Sequence, residues 1–133
     1  MSAAETVQKY FNFFNTGDRA GMFSLLNEDI IHDINQGESR RGLNLFKQFM
    51  QHMDECYKEE LKDIVVMTSA SNAHRASAEF TVHGTYLKTD KGLPAAKNQK
   101  YIVPAGSFFE LKDGKISRVT TYYNLPQWIK AVQ

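Results

Sequence analysis

Between Arg75 and Leu87 the chain reads RASAEFTVHGTYL, and its side chains follow a period of two. Ala78, Phe80, Val82, Gly84 and Tyr86 fall on one face of such a strand, while Glu79, Thr81, His83 and Thr85 fall on the other. The first set suits the lining of an apolar interior. The second, joined by Thr121 from a later strand, suits water or a partner subunit. Upstream the rhythm is helical instead, so the chain must join a block of helices to a block of strands. That order specifies an α+β architecture.

The helical block opens on Ser2-Ala3-Ala4-Glu5, a capping box for the first orphan amides of a helix. Val7, Tyr10, Phe11 and Phe14 then share one face. Gly17 suits the left-handed stop, and Asp18 the cap of a short second helix that buries Met22, Phe23, Leu25 and Leu26. Gly42 leads into a third helix with the stripe Leu45, Phe46, Phe49, Met50, Met53 and Tyr57. From Ile64 the period is two. Ile64–Thr68 and Arg75–Leu87 read as strands about a Ser71-Asn72 turn, and Lys88–Lys100 as an extended loop. Tyr101–Leu111 and Lys115–Tyr123 flank Asp113-Gly114, a hairpin signal. A last helix runs from Pro126 to Val132 with Asn124 as its cap, and Trp128 anchors it over the open end of the sheet.

The 133 residues fit one domain, residues 1–133, with a single core. A net charge of +1 with no basic stripe argues against nucleic acid as a partner. The one cysteine, Cys56, cannot form an internal disulfide, which points to a reducing compartment, with the cytoplasm as default. Neither a leader peptide nor a membrane span is expected. No metal or other cofactor is expected either. His52 and Asp54 are two apart on a helix and do not share a face, and Cys56 has no evident base beside it.

One stretch breaks its own pattern. In DIIHDINQG, residues 29–37, Asp33 falls where a strand would carry another aliphatic, on the side of Ile31. It reads as a solvated charge, as a turn-former ahead of Asn35 and Gly37, or as a buried functional carboxylate bracketed by Ile31 and Ile34. His32 then points the other way. Arg40, Arg41, Arg75 and Arg118 all stand in polar or turn-like settings, so no arginine is expected to face inward.

The stretches KYFNFFNTGD (9–18), IIHDINQGESRRG (30–42), AEFTVHGTY (78–86), FFELKDGKISRV (108–119) and YYNLPQWIKAV (122–132) together resemble one family. The chain is similar to ketosteroid-isomerase-related members of the superfamily of nuclear transport factor 2 and the SnoaL-type polyketide cyclases. The resemblance implies a cone-shaped, curved antiparallel sheet of cystatin-like type, with the N-terminal helices on its concave face. It also implies a homodimer formed through the outer sheet face.

By the same resemblance Asp33 matches the catalytic base and Tyr10 the tyrosine that holds the oxyanion. In ketosteroid isomerase itself a second, protonated acid completes the oxyanion hole. Here that position falls at or beside Gly106, in PAGSFF, where no acid stands. Asn35, Ser107 or a second tyrosine would have to compensate, Ser107 by a bulge at Pro104 or Gly106. Phe14, Phe49, Phe80, Val82 and Tyr123 match the pocket lining. Met53, Phe108 and Trp128 are added to it from their place in the pattern. The implied activity is isomerase- or cyclase-like proton transfer on a small hydrophobic carbonyl compound, steroid- or polyketide-like. The alternative is a binding protein using the same cavity. Burial among rings is expected to raise the Asp33 pKa.

Overall fold

The computed structural model describes residues 1–133. Helices α1 (Ala3–Thr16) and α2 (Arg19–Ser24) lead into strands β1 (Leu26–Asp33) and β2 (Ser39–Arg41). Helix α3 (Leu43–Cys56) follows, then strands β3 (Tyr57–Thr68), β4 (Arg75–Tyr86), β5 (Lys100–Lys112) and β6 (Lys115–Tyr123), and helix α4 (Leu125–Val132). The six strands form one curved, unclosed sheet in the order β2-β1-β6-β5-β4-β3.

The sheet is mixed rather than antiparallel throughout: β1 lies parallel to β6, and the remaining pairs are antiparallel. A parallel pair needs a long crossover, and here the whole chain from β2 to β5 supplies it.

Local chemistry explains the boundaries. The Ser2 hydroxyl accepts from the Glu5 amide while the Glu5 carboxylate accepts from the Ser2 amide. Gly17 ends α1 with φ of 77°, and the Asp18 carboxylate accepts from the Gly21 amide to start α2. Asp113 and Gly114, both at positive φ, make the tight β5–β6 turn. The Asn124 side chain accepts from the Gln127 amide at the start of α4.

Helix α1 closes an exposed edge. Asn15 lies opposite Leu61 of the edge strand β3, accepting from its amide at 2.8 Å and donating to its carbonyl at 2.9 Å. An amide side chain thus takes the place of a further strand. Just beyond, Asp63 at φ of 54° marks a bulge between Lys62 and Val65.

Strand β3 begins at Tyr57, well before the expected Ile64, and Tyr57 is therefore a strand residue rather than the end of α3. Leu45 of the α3 stripe is 40% exposed and Phe46 takes the core position. One cluster of 23 buried apolar residues runs from α1 across the inner face of the sheet to Trp128 and Val132. The inner set on β4 is the one expected, Ala78, Phe80, Val82 and Tyr86 all being buried. No helix is long and apolar enough to cross a membrane.

Candidate active site

The concave face of the sheet, with α1, α3 and α4 around it, encloses a cavity of about 430 Å³. This is the size range of small-molecule sites. Tyr10, Phe14, Asn35, Phe49, Met53, Phe80, Val82, Tyr123 and Trp128 line it. Phe108 does not. It is 43% exposed on the outer face against Tyr122, because strand parity turns its neighbour Phe109 inward. Ser107 reaches the cavity with no bulge at all, since β4 and β5 keep one register from Arg75 to Thr85. Its hydroxyl lies 2.8 Å from that of Thr121, so Thr121 belongs to the inside and not to the outer face.

The phase of β1 is also opposite to expectation. Ile30 and His32 are the buried, inward residues, and His32 packs edge-on against Phe46 and Phe49 with ring centroids 5.0 and 4.5 Å away. Burial, helped by the charge of Arg40, pushes the His32 pKa down to about 4, with Asp33 opposing. At pH 7 the folded ring is therefore neutral, and its Nδ1 has no hydrogen-bond partner.

Asp33 borders the cavity, but its carboxylate is occupied. The Thr120 hydroxyl donates to Oδ2 at 2.6 Å and Arg118 Nη1 at 3.2 Å. Arg118 bonds Thr120 as well and pairs with Glu110. These contacts follow from register, since Asp33 and Ile31 of β1 lie beside Thr120 and Arg118 of β6. The hydrogen bond from Thr120 holds the Asp33 carboxyl below its ordinary pKa, aided by Ser39 and Arg118 and opposed by partial burial. The expected upward shift is thereby reversed. The linkage reverses too: Asp33 adds stability above its unfolded pKa, and that contribution is lost as pH falls.

A second acid faces the cavity that the sequence pattern does not single out, Glu59. Along β3, Tyr57, Glu59 and Leu61 face inward and alternate with Lys58, Glu60 and Lys62. Glu59 stands in register with Gly84 of β4, and Gly84 with Tyr101 of β5. A Cβ on Gly84 would fall on the Tyr101 ring. The missing side chain is therefore a notch through which Tyr101 lies across β4, and its hydroxyl donates to Glu59 Oε2 at 2.6 Å. Trp128 packs edge-on against the same ring at 5.7 Å.

Glu59 is half-buried and lines the cavity. Even so, burial raises its carboxyl pKa, against the lowering influence of the Tyr101 hydrogen bond and Arg19, while Asp54 adds to the rise. Tyr101 is itself pushed upward by burial and by Glu59. Arg19 is tied to Asp54 by paired contacts of 2.7 and 2.8 Å and lies 4.7 Å over the Phe14 ring. Tyr10 packs edge-on against Phe11 and Phe109, and burial raises its hydroxyl pKa despite Arg19. Asn35 Oδ1 accepts from the Tyr123 amide at 3.3 Å, while its Nδ2 is buried without a partner.

A carboxyl raised by burial in a mostly apolar cavity, with the Tyr101 phenol donating to it, can remove and return protons. Fold and cavity together define an α+β domain whose curved, unclosed sheet and helices surround one cavity. The chain belongs to the SnoaL-like domain family, whose model matches residues 7–119. It is 53% identical to a proposed polyketide cyclase of Pseudomonas putida KT2440, with a TM-score of 0.97 over 100% of this chain and 99% of that one. A second proposed polyketide cyclase, from Silicibacter sp. TM1040, is 54% identical with a TM-score of 0.95, covering 97% and 93%. A phenazine biosynthesis-related protein of Pseudomonas aeruginosa is 27% identical, with a TM-score of 0.77 over 96% and 82%. No curated protein matches the chain.

Proposed function

We propose that the protein is an isomerase- or cyclase-type enzyme that moves a proton on a small apolar carbonyl compound held in the cone. The observation that carries this reading is the row Glu59–Gly84–Tyr101, which sets a carboxyl of raised pKa inside the cavity under a phenol at 2.6 Å. The likeness to two proposed polyketide cyclases supports the reaction class.

In this reading the Glu59 carboxylate takes the proton from the carbon next to the carbonyl. The C–H electron pair moves onto oxygen, where the Tyr10 hydroxyl donates to the developing enolate. Glu59 then returns the proton at carbon. Asp33 has a different task, holding Arg118 against the β1–β6 seam. The enzyme works as a pair of copies joined through the outer face, where Ile102, Phe108 and Tyr122 lie exposed beside Thr81 and His83.

The competing reading is a carrier that binds the same compounds without turnover. It is favoured by the Tyr101–Glu59 hydrogen bond being complete in itself. Exchange of the acidic carbon-bound protons of β-tetralone and of a β,γ-unsaturated steroid ketone into deuterated water, followed by NMR, separates the two. The wild type accelerates exchange, Glu59→Gln slows it by about a hundred- to ten-thousand-fold, and Asp33→Asn retains it. Loss with Asp33→Asn and retention with Glu59→Gln contradicts the assignment. A wild type that binds the ketones without exchange is a carrier. Light scattering of the same samples gives twice the chain mass; a single-chain mass contradicts the pairing.

A further inference from the structure

Three different donor atoms meet where the end of α3 faces the loop between β4 and β5. His52 and Cys56 are one helical turn apart, so both side chains leave the same face of α3. Asp90 reaches that face from the loop. His52 Nε2 lies 2.9 Å from Asp90 Oδ1 and 3.9 Å from Cys56 Sγ, and the three donor atoms all lie within 4.8 Å of one another. The expectation that Cys56 has no base beside it is thereby overturned.

Two chemistries use such residues. A nucleophilic relay needs the thiol on one ring nitrogen and the carboxylate on the other, so that a proton taken at one side is stabilised from the far side. Here both approach the same Nε2, and the ring cannot serve as that relay. One nitrogen, one sulfur and one carboxylate oxygen converging on a point are instead the donors of a transition-metal centre. We propose that His52, Cys56 and Asp90 bind a divalent cation of the zinc class, leaving a fourth position for water or a ligand. His52 and Asp90 both line the main cavity, so that position borders it.

The surroundings hold the donors in place. The Tyr57 hydroxyl donates to the other Asp90 oxygen, Oδ2, at 2.7 Å, which orients the carboxylate and leaves Oδ1 facing His52. The Asp90 amide donates to the Tyr86 hydroxyl at 2.9 Å. The Leu87 and Lys88 amides donate to the Cys56 carbonyl at 2.7 and 3.3 Å, tying the loop to the helix end. Cys56 is 2% exposed, while the half-exposed His52 leaves a way in from solvent. Of the cations nearby, Lys88 pairs with Glu55 at 3.9 Å and Lys91 lines the cavity. On binding, the S–H bond of Cys56 breaks, its proton goes to solvent and a metal–sulfur bond forms. The His52 lone pair at Nε2 and the Asp90 carboxylate fill two further positions, so the thiolate and carboxylate charges offset that of the ion.

The test is a titration of chelator-treated protein with cobalt(II) and with zinc(II). The wild type binds one ion per chain and, with cobalt, shows the near-ultraviolet charge-transfer absorption of a thiolate bond. Cys56→Ser abolishes that absorption, and His52→Gln and Cys56→Ser each weaken zinc binding by at least about tenfold. Tyr57→Phe, which removes no ligand, also weakens zinc binding by about tenfold. Far-ultraviolet circular dichroism of each metal-free variant confirms that it is folded. A folded wild type that binds neither ion, or zinc affinity unchanged in Cys56→Ser and His52→Gln, overturns the proposal.

Discussion

Gly84→Ala unfolds at lower temperature than the wild type, by the equivalent of about 1–3 kcal/mol. The added methyl has no room. It meets the Tyr101 ring, which is 3% exposed, lies 5.7 Å from the Trp128 ring and is held by Glu59 at its hydroxyl. Relief requires moving a large buried ring or parting β4 from β5, and either breaks the Tyr101–Glu59 hydrogen bond. For a chain of this size the melting point falls by roughly 4–11 °C. Near-ultraviolet circular dichroism loses the tyrosine and tryptophan signal in step. A variant that melts within about 0.5 kcal/mol of the wild type, with the aromatic signal intact, shows that the notch is not required.

The second large effect is acid lability at His32. Its pKa is about 4 in the folded chain against an ordinary value of 6.5, so folding favours the neutral ring. A group depressed in this way contributes stability that is fully present above pH 6.5 and is lost as pH falls toward 4. The difference corresponds to about 3 kcal/mol. Phe46 and Phe49 already surround the ring, so His32→Phe keeps an aromatic contact and removes the titration. Urea unfolding at pH 7 and pH 4 compares the two proteins. The wild type loses about 3 kcal/mol more than His32→Phe over that interval. Equal losses place the neutral histidine elsewhere than the cavity wall.

Patterns internal to one element were readable in the chain. The Ser2–Glu5 box, the Gly17 stop, the Asp113-Gly114 turn and the inward set on β4 each depend on neighbours within a few residues, and the structure has all of them. Parity was harder. In β1 the run Ile30-Ile31-His32-Asp33 offers apolar residues to both faces, and only its parallel partner β6 decides that Asp33 meets Thr120. Phe108 and Phe109 pose the same problem; the small alternating set Val103, Ala105 and Ser107 was the available signal that Phe109 faces in.

Glu59 was concealed by charge. YKEELK looks like a solvated helix tail until its alternation Tyr57, Glu59, Leu61 is noticed. The His52–Cys56 spacing was visible too, but nothing in the sequence brings Asp90 to it from 38 residues beyond His52. The parallel β1–β6 pairing joins strands at opposite ends of the chain and leaves no local mark at all.

The proposed chemistry stands or falls on Glu59 sitting in the cavity as a carboxyl raised by burial and restrained by Tyr101. The most direct measurement is the carbon-13 titration of the Glu59 carboxyl in the wild type and in Tyr101→Phe, assigned by comparison with Glu59→Gln. Burial raises the wild-type midpoint above the ordinary glutamate value of 4.5, and removing the Tyr101 donor raises it further. A wild-type midpoint at or below 4.5, or a downward move in Tyr101→Phe, contradicts the assignment of Glu59 as the base.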